Sequence, residues 1–162
     1  MTNTMPSFDY RIAGEDGFAA VQPLWLNLRA YHSQLPWRFA GEMNRVTFEP
    51  RKQEILTKGA PGKLRIELVS TASVTADVAY CISTVSANGR GEVDSIFVEE
   101  RFRGHGIGSE LLRSALAWLE SLGASSKVVT VAYANEDAIS LYKHFGFHPR
   151  TILLEQPHDN VA

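Results

Sequence analysis

Cysteine is nearly absent from this chain: Cys81 stands alone in 162 residues. That excludes an internal disulfide and fits a reducing compartment. No stretch approaches the roughly 18 consecutive apolar residues of a membrane-spanning helix, so no membrane association is expected. The opening MTNTMPSFDYR has no basic region followed by an apolar core, so no secretory leader is expected either, and a cytoplasmic protein is the reading. Net charge is only −2, which gives no general drive towards nucleic acid. Repeats, low-complexity tracts and linkers are missing too. One domain over 1–162 is therefore expected, long enough to bury a core without metals or disulfides.

The small net charge hides an asymmetry. Residues 29–65 carry eight Lys or Arg against three Glu, a net of +5, which leaves −7 for the remainder. A solvated basic face is the simplest account. If that segment instead faces a substrate, it repels polycations and favours an amine that also carries carboxylate or phosphate.

Hydrophobic periodicity supplies the elements. Residues 10–13 read as a short strand. Phe18, Val21, Leu24, Trp25, Leu28, Tyr31 and His32 recur at helical spacing behind Asp16, an expected N-cap. Pro36 ends that helix, and a weaker one is predicted from about Pro50 to Lys58. Strands are predicted at 63–70, 77–86 and 92–98, the last two joined by Asn88-Gly89, as an antiparallel meander. Ile107, Leu111, Ala115, Leu119 and Leu122 form one helical stripe ended by Gly123. A buried strand at 127–132, a short helix at 135–145 and a last strand over 147–155 complete a mixed sheet flanked by helices.

The run RFRGHGIGSELL, residues 101–112, places Gly104, Gly106 and Gly108 between a strand and a helix start. Such a turn exposes unpaired N–H groups at the positive end of the helix dipole and makes an anion site. Glycine lets a phosphate reach those groups without meeting a Cβ. A P-loop is excluded because no lysine follows the glycines. A dinucleotide fingerprint fails because Ser109 stands where its third glycine belongs. Arg103, Gly106 and Gly108 do fit R-x-x-G-x-G.

In this setting the motif resembles the pyrophosphate loop of the Gcn5-related N-acetyltransferase (GNAT) superfamily, whose members bind acetyl-coenzyme A. NEDAISLYKHFGF, residues 135–147, looks like that family's second signature, and the order of elements is similar. The resemblance implies an α/β (α+β) GNAT fold of about four helices and a mostly antiparallel sheet, with a splay between the strand at 92–98 and the strand at 127–132. It implies that pantetheine lies in the splay against the backbone of Ile96, Phe97 and Val98. The pyrophosphate would take N–H groups from Gly104, His105, Gly106, Ile107, Gly108 and Ser109, with Arg103 and His105 adding charge. Asn135 would contact the cofactor arm or hold the splay open.

Tyr142 holds the position from which the family supplies a proton or hydrogen bond to the departing thiolate. With pKa values of ~10 for tyrosine and ~8.5 for a thiol, full transfer is uphill by roughly 2 kcal/mol. Tyr142 is therefore expected to act as a donor that stabilises the leaving group. The attacking amine must lose a proton, and Glu92 matches a strand glutamate that serves as base in some members. Asp94 is the second choice, because period-2 alternation puts Glu92, Asp94, Ile96 and Val98 on one face. Tyr31, His32 and Trp37 stand where the family walls its acceptor site.

The implied activity is transfer of an acetyl group from acetyl-CoA to a primary amine, a small molecule in the first instance, with a homodimer possible in such a family. A silent acyl-CoA sensor and a protein N-terminal or lysine acetyltransferase are the rival readings. No metal is implied: His144 and His148 are four apart, but Gly146 between them breaks the helix.

Overall fold

The computed structural model describes residues 6–158, so the ends of the 1–162 domain and the first residues read for a leader lie outside the described residues. Five strands form one sheet in chain order: β1 (Phe8–Ala13), β2 (Leu64–Thr71), β3 (Ala79–Val85), β4 (Arg90–Val98) and β5 (Ser126–Val129). The first four run antiparallel and β5 lies parallel to β4. A parallel pair needs a crossover. Helix α3 (Ile107–Ser121) supplies it, preceded in the chain by α1 (Phe18–Ser33) and α2 (Phe48–Lys58) and followed by α4 (Glu136–His144). No described helix is long and apolar enough to cross a membrane.

Alternation along the central strand builds two cores. Tyr80 and Ile82 point to one face, where Phe18, Val21, Leu24 and Trp25 of α1 and Phe48 and Ile55 of α2 cover them. Ala79 and Cys81 point to the other, under Ile107, Leu111, Leu112, Ala115 and Leu119 of α3 and Tyr142 of α4. Each fully buried aliphatic side chain contributes about 1.5–3 kcal/mol by leaving water. The helical stripe read from residues 107–122 is the face that does this as far as Leu119, whereas Leu122, at the C-cap of α3, is 38% exposed.

Three expectations are corrected. Asp16 does not cap α1: it lies in a 3-10 turn, Glu15–Gly17, and its Oδ1 accepts a hydrogen bond from Gly14 N at 3.1 Å. The strand expected at 147–155 is absent, and Ile152, Leu153 and Leu154 are 69%, 87% and 88% exposed. Their pattern suits a strand, but a strand exists only where another supplies its hydrogen bonds, and the outer edge of β5 does not take this segment.

The third correction matters most. The β3–β4 register shifts between Ile82 and Ser83, so that Ile82 faces Ser95 while Ser83 faces Val93. Asp94 is the extra residue, and the bulge resets the alternation. Glu92 and Asp94 consequently lie on the α1/α2 face. Ser95, bonded to Tyr80 Oη at 2.7 Å, and Phe97 share that face, whereas Ile96 and Val98 pack towards α3. Strict period-2 alternation groups the acids with Ile96 and Val98 instead.

Candidate active site

Pairing between β4 and β5 runs only from Arg90–Ser126 to Val93–Val129. Beyond that point β4 continues to Val98 while the other strand ends, so the two part and the backbone of residues 94–98 presents an edge. β5 is shorter than the 127–132 expected, because residues past Val129 have lost their partner. The splay opens directly towards the glycine turn. Gly104 and Gly106 sit at φ +78° and +80°, a left-handed conformation that disfavours any side chain. A Cβ built on either would meet nothing within 4 Å, so the turn borders open space. Gly106 is the N-cap of α3 and no side chain caps the helix. Its first backbone bond runs from Glu110 N to Gly106 O at 3.0 Å, which leaves the N–H groups of Ile107, Gly108 and Ser109 without intrahelical acceptors. Gly108 is different in kind: a Cβ there would only touch Leu141 and Val98 at 3.7 and 3.8 Å.

The side chain of Arg103 shapes the mouth of the splay, while that of His105 turns towards β1. Arg103 Nε donates to Val98 O at 3.0 Å, and its guanidinium lies 4.8 Å from the centre of the Tyr31 ring and 5.5 Å from that of Phe97. One of the carbonyls expected to face a cofactor is thus already engaged. His105 turns Nδ1 to the carbonyls of Phe102 and Arg103, both at 3.1 Å, with its ring edge-on to Phe8.

Asn135 ties α4 to α1. Its Oδ1 accepts from Ala138 N at 3.2 Å, capping α4, and from Tyr31 Oη at 3.5 Å. Its Nδ2 donates to His32 Nε2 at 3.4 Å. Burial holds His32 below the usual histidine range, which favours the neutral ring this bond requires. Trp37 folds back on the same turn, its Nε1 donating to His32 O at 3.0 Å. Tyr31, His32 and Trp37 therefore stand beside the splay together with Asn135, about a hundred residues further along the chain. Tyr142, 6% exposed, packs edge-on against Phe147 within the α3 core. Desolvation, with smaller effects from Cys81 and Tyr80, pushes its pKa well above the ordinary tyrosine value, so the hydroxyl keeps its proton.

The carboxylates occupy the opposite face. The Asp94 side chain has no solvent exposure; Thr84 Oγ1 donates to its Oδ2 at 2.8 Å, and its Oδ1 is ion-paired with Lys58. Desolvation raises its pKa, with Lys58 and Thr84 opposing. Glu92, 13% exposed, also pairs with Lys58, at 3.0 Å. Arg51 donates from Nη2 to Asp94 O at 2.8 Å and pairs through Nη1 with Glu54 at 2.7 Å. Sequence reasoning missed Lys58, Arg51 and Thr84. The spacing of 51, 54 and 58 did place them on one helical face, but which strand residues they meet depends on packing.

The pattern described as the acetyltransferase (GNAT) family matches residues 42–147, about two thirds of the chain. The chain belongs to the GNAT family. Among curated relatives, the uncharacterized N-acetyltransferase YobR of Bacillus subtilis (strain 168) is 31% identical over 107 residues, covering 63% of this chain and 41% of the relative. The spermine/spermidine N(1)-acetyltransferase of the same organism is 34% identical over 61 residues, covering 37% of this chain and 40% of the relative. The chain thus spans well under half the length of these GNAT relatives. Among solved structures, the aminoglycoside N-acetyltransferase AAC(6')-Iy in complex with CoA superposes with a TM-score of 0.65 at 15% identity, over 98% of this chain and 100% of the other. At that identity the likeness concerns the GNAT fold alone.

Proposed function

We propose that this chain transfers the acetyl group of acetyl-CoA directly to a primary amine of a small molecule, with both substrates bound at once. One observation carries the proposal. A splay that exposes the β4 edge opens onto a helix N-terminus with unpaired N–H groups and a turn at Gly104 and Gly106 where a Cβ would meet nothing within 4 Å. The residues present suit the cosubstrate. A diphosphate would take the N–H groups from Gly104 through Ser109, with Arg103 at the rim, and the pantetheine amides would pair with the backbone groups that the β4 edge leaves open at Ile96, Phe97 and Val98, Val98 O being held by Arg103. Asn135 would contact the arm while its bonds to Tyr31 and His32 hold α4 in place.

Acetyl-CoA supplies an activated acyl group on a thiol leaving group. The amine nitrogen forms a bond to the carbonyl carbon, the carbon–sulfur bond breaks, and the sulfur takes up a proton or a hydrogen bond. Tyr142, kept protonated by burial, suits that last step as a donor. It approaches from the α3 face, whereas Glu92 lies on the α1/α2 face. An amine entering from one side and a thiolate departing on the other is the arrangement this displacement needs. Glu92 is the candidate base, and it must loosen its contact with Lys58 to accept a proton. Asp94, wholly enclosed, acts through Lys58 rather than on the amine.

A thermal melt with and without 1 mM acetyl-CoA tests the binding half. A ligand at 100 times its Kd adds about 2.7 kcal/mol, on the order of 5–10 °C for a domain of this size. Tyr142→Phe tests the chemistry. Turnover followed by thiol release should fall about 10- to 100-fold while the melt shift is kept. An unchanged turnover would remove Tyr142 from the mechanism, and no melt shift in a cooperatively melting, cofactor-free protein would defeat the proposal itself.

A further inference from the structure

The reading above leaves the acceptor open, and the α1/α2 face narrows it. A cleft of about 290 Å³ lies between α2 and the β3–β4 hairpin, lined by Glu54, Lys58, Thr84, Ser86, Arg90 and Glu92. Glu92 pairs in register with Val128, one residue before the last β4–β5 pair at Val93–Val129. At a strand rise of about 3.3 Å per residue, the Glu92 end of the cleft lies roughly 7 Å from the point where the splay opens. A diphosphate held at α3, as proposed above, would send its arm along β4 from Val98 towards that apex. The cleft therefore adjoins the place where the thioester would come to rest.

Charge around the cleft is balanced: Arg51, Lys58 and Arg90 against Glu54, Glu92 and Asp94. Most of it is already paired, Arg51 with Glu54 and Lys58 with both Glu92 and Asp94. Among the described residues the guanidinium of Arg90 has no carboxylate partner. The wider +5 segment does not act as one face. Arg29 is spent on Val46 O, and Arg65 binds Glu67 and Ser114 of α3 on the opposite side of the sheet. The cleft thus offers one free cation beside an acid that already shares its lysine, in a volume just below the roughly 300–1,000 Å³ range of small-molecule pockets.

We infer that this cleft is the acceptor site and that the acceptor is a compact amino carboxylate: Arg90 holds the carboxylate, and Glu92 receives the ammonium and directs it to the splay. The inference rests on the transferase reading. A polyamine would leave Arg90 facing like charge, and a multi-ring aminoglycoside exceeds the volume.

The test begins with the acetyl-CoA melt shift, which reports on the transferase reading alone. Thiol release is then followed with a panel of L-amino acids, their carboxamides, spermidine and kanamycin. At least one amino acid should exceed its carboxamide in kcat/KM by about ten-fold or more, the scale of one charge-assisted hydrogen bond. Arg90→Gln, at an exposed position, should collapse that ratio by raising KM for the amino acid alone. Preference for spermidine or kanamycin overturns the inference, as does a ratio that survives Arg90→Gln. If no amine turns over, calorimetric titration of amino acids into the CoA-loaded protein decides, and no binding overturns it equally. A missing melt shift would instead sink the transferase reading and this inference with it.

Discussion

Gly106→Ala and Gly108→Ala separate two reasons for a glycine that a motif treats alike. Gly106 has φ +80°, and a Cβ there meets nothing within 4 Å, so the cost to folding is purely conformational. A side chain in the left-handed region costs about 1–2 kcal/mol. At roughly 2–4 °C per kcal/mol for a domain this long, Gly106→Ala should lower Tm by about 2–8 °C. Gly108 lies in the first turn of α3 without a positive φ, and its added methyl makes ordinary contacts with Leu141 and Val98. Alanine exceeds glycine in a helix by up to about 1 kcal/mol, so Gly108→Ala should leave Tm unchanged or raise it slightly. Ligand response divides them again. The methyl of Gly106→Ala enters the space beside the free N–H groups, and the acetyl-CoA shift should fall below half. The methyl of Gly108→Ala points at Leu141 and Val98, and the shift should persist. Differential scanning fluorimetry of both variants with and without acetyl-CoA reads all four numbers. A Gly106→Ala protein that melts and responds like the wild type, or a Gly108→Ala protein that loses as much, would refute the reasoning.

Lys58→Met strands the enclosed Asp94 carboxylate and should cost about 3–5 kcal/mol in urea unfolding. Adding Asp94→Asn should recover most of that, and a Lys58→Met protein of normal stability would show the pair to be dispensable. Cys81, pushed up to about 12 by burial, should resist thiol reagents in the folded state. Because its folded pKa lies above the ordinary value of 9.0, its contribution to stability is complete below about pH 9 and is lost as pH rises towards 12. Tyr80 and Tyr142 act in the same direction from pH 10 upward, so Tm should hold to about pH 9 and then decline, later in Cys81→Ala. Leu153→Glu, at an 87% exposed position, should change stability by no more than about 0.5 kcal/mol. A loss above about 1 kcal/mol would mean the 147–155 segment is docked in solution.

Local chemistry wrote much of this protein directly into its sequence. The stripe from Ile107 to Leu119 fixes the face α3 buries, and Pro50 marks the first turn of α2. Gly104 and Gly106 announce a turn that only glycine makes easily, and Asn135 announces the start of α4. Each signal depends on neighbours within a turn or two, so no knowledge of the rest of the chain is needed. The faces of β4 were not legible in this way. Whether Glu92 stands with Ile96 or against it depends on a bulge opposite Ile82 and Ser83, and a bulge belongs to a pair of strands rather than to one. The same holds for Lys58 reaching two carboxylates at once and for Asn135 meeting Tyr31 and His32. It holds for the 147–155 segment too, whose strand-like pattern found no partner. Periodicity states which side chains one element would bury. The partner, the register and the charges left free at the end arise only when separate elements compete for the same space and the same hydrogen bonds, and tertiary packing alone decides that competition.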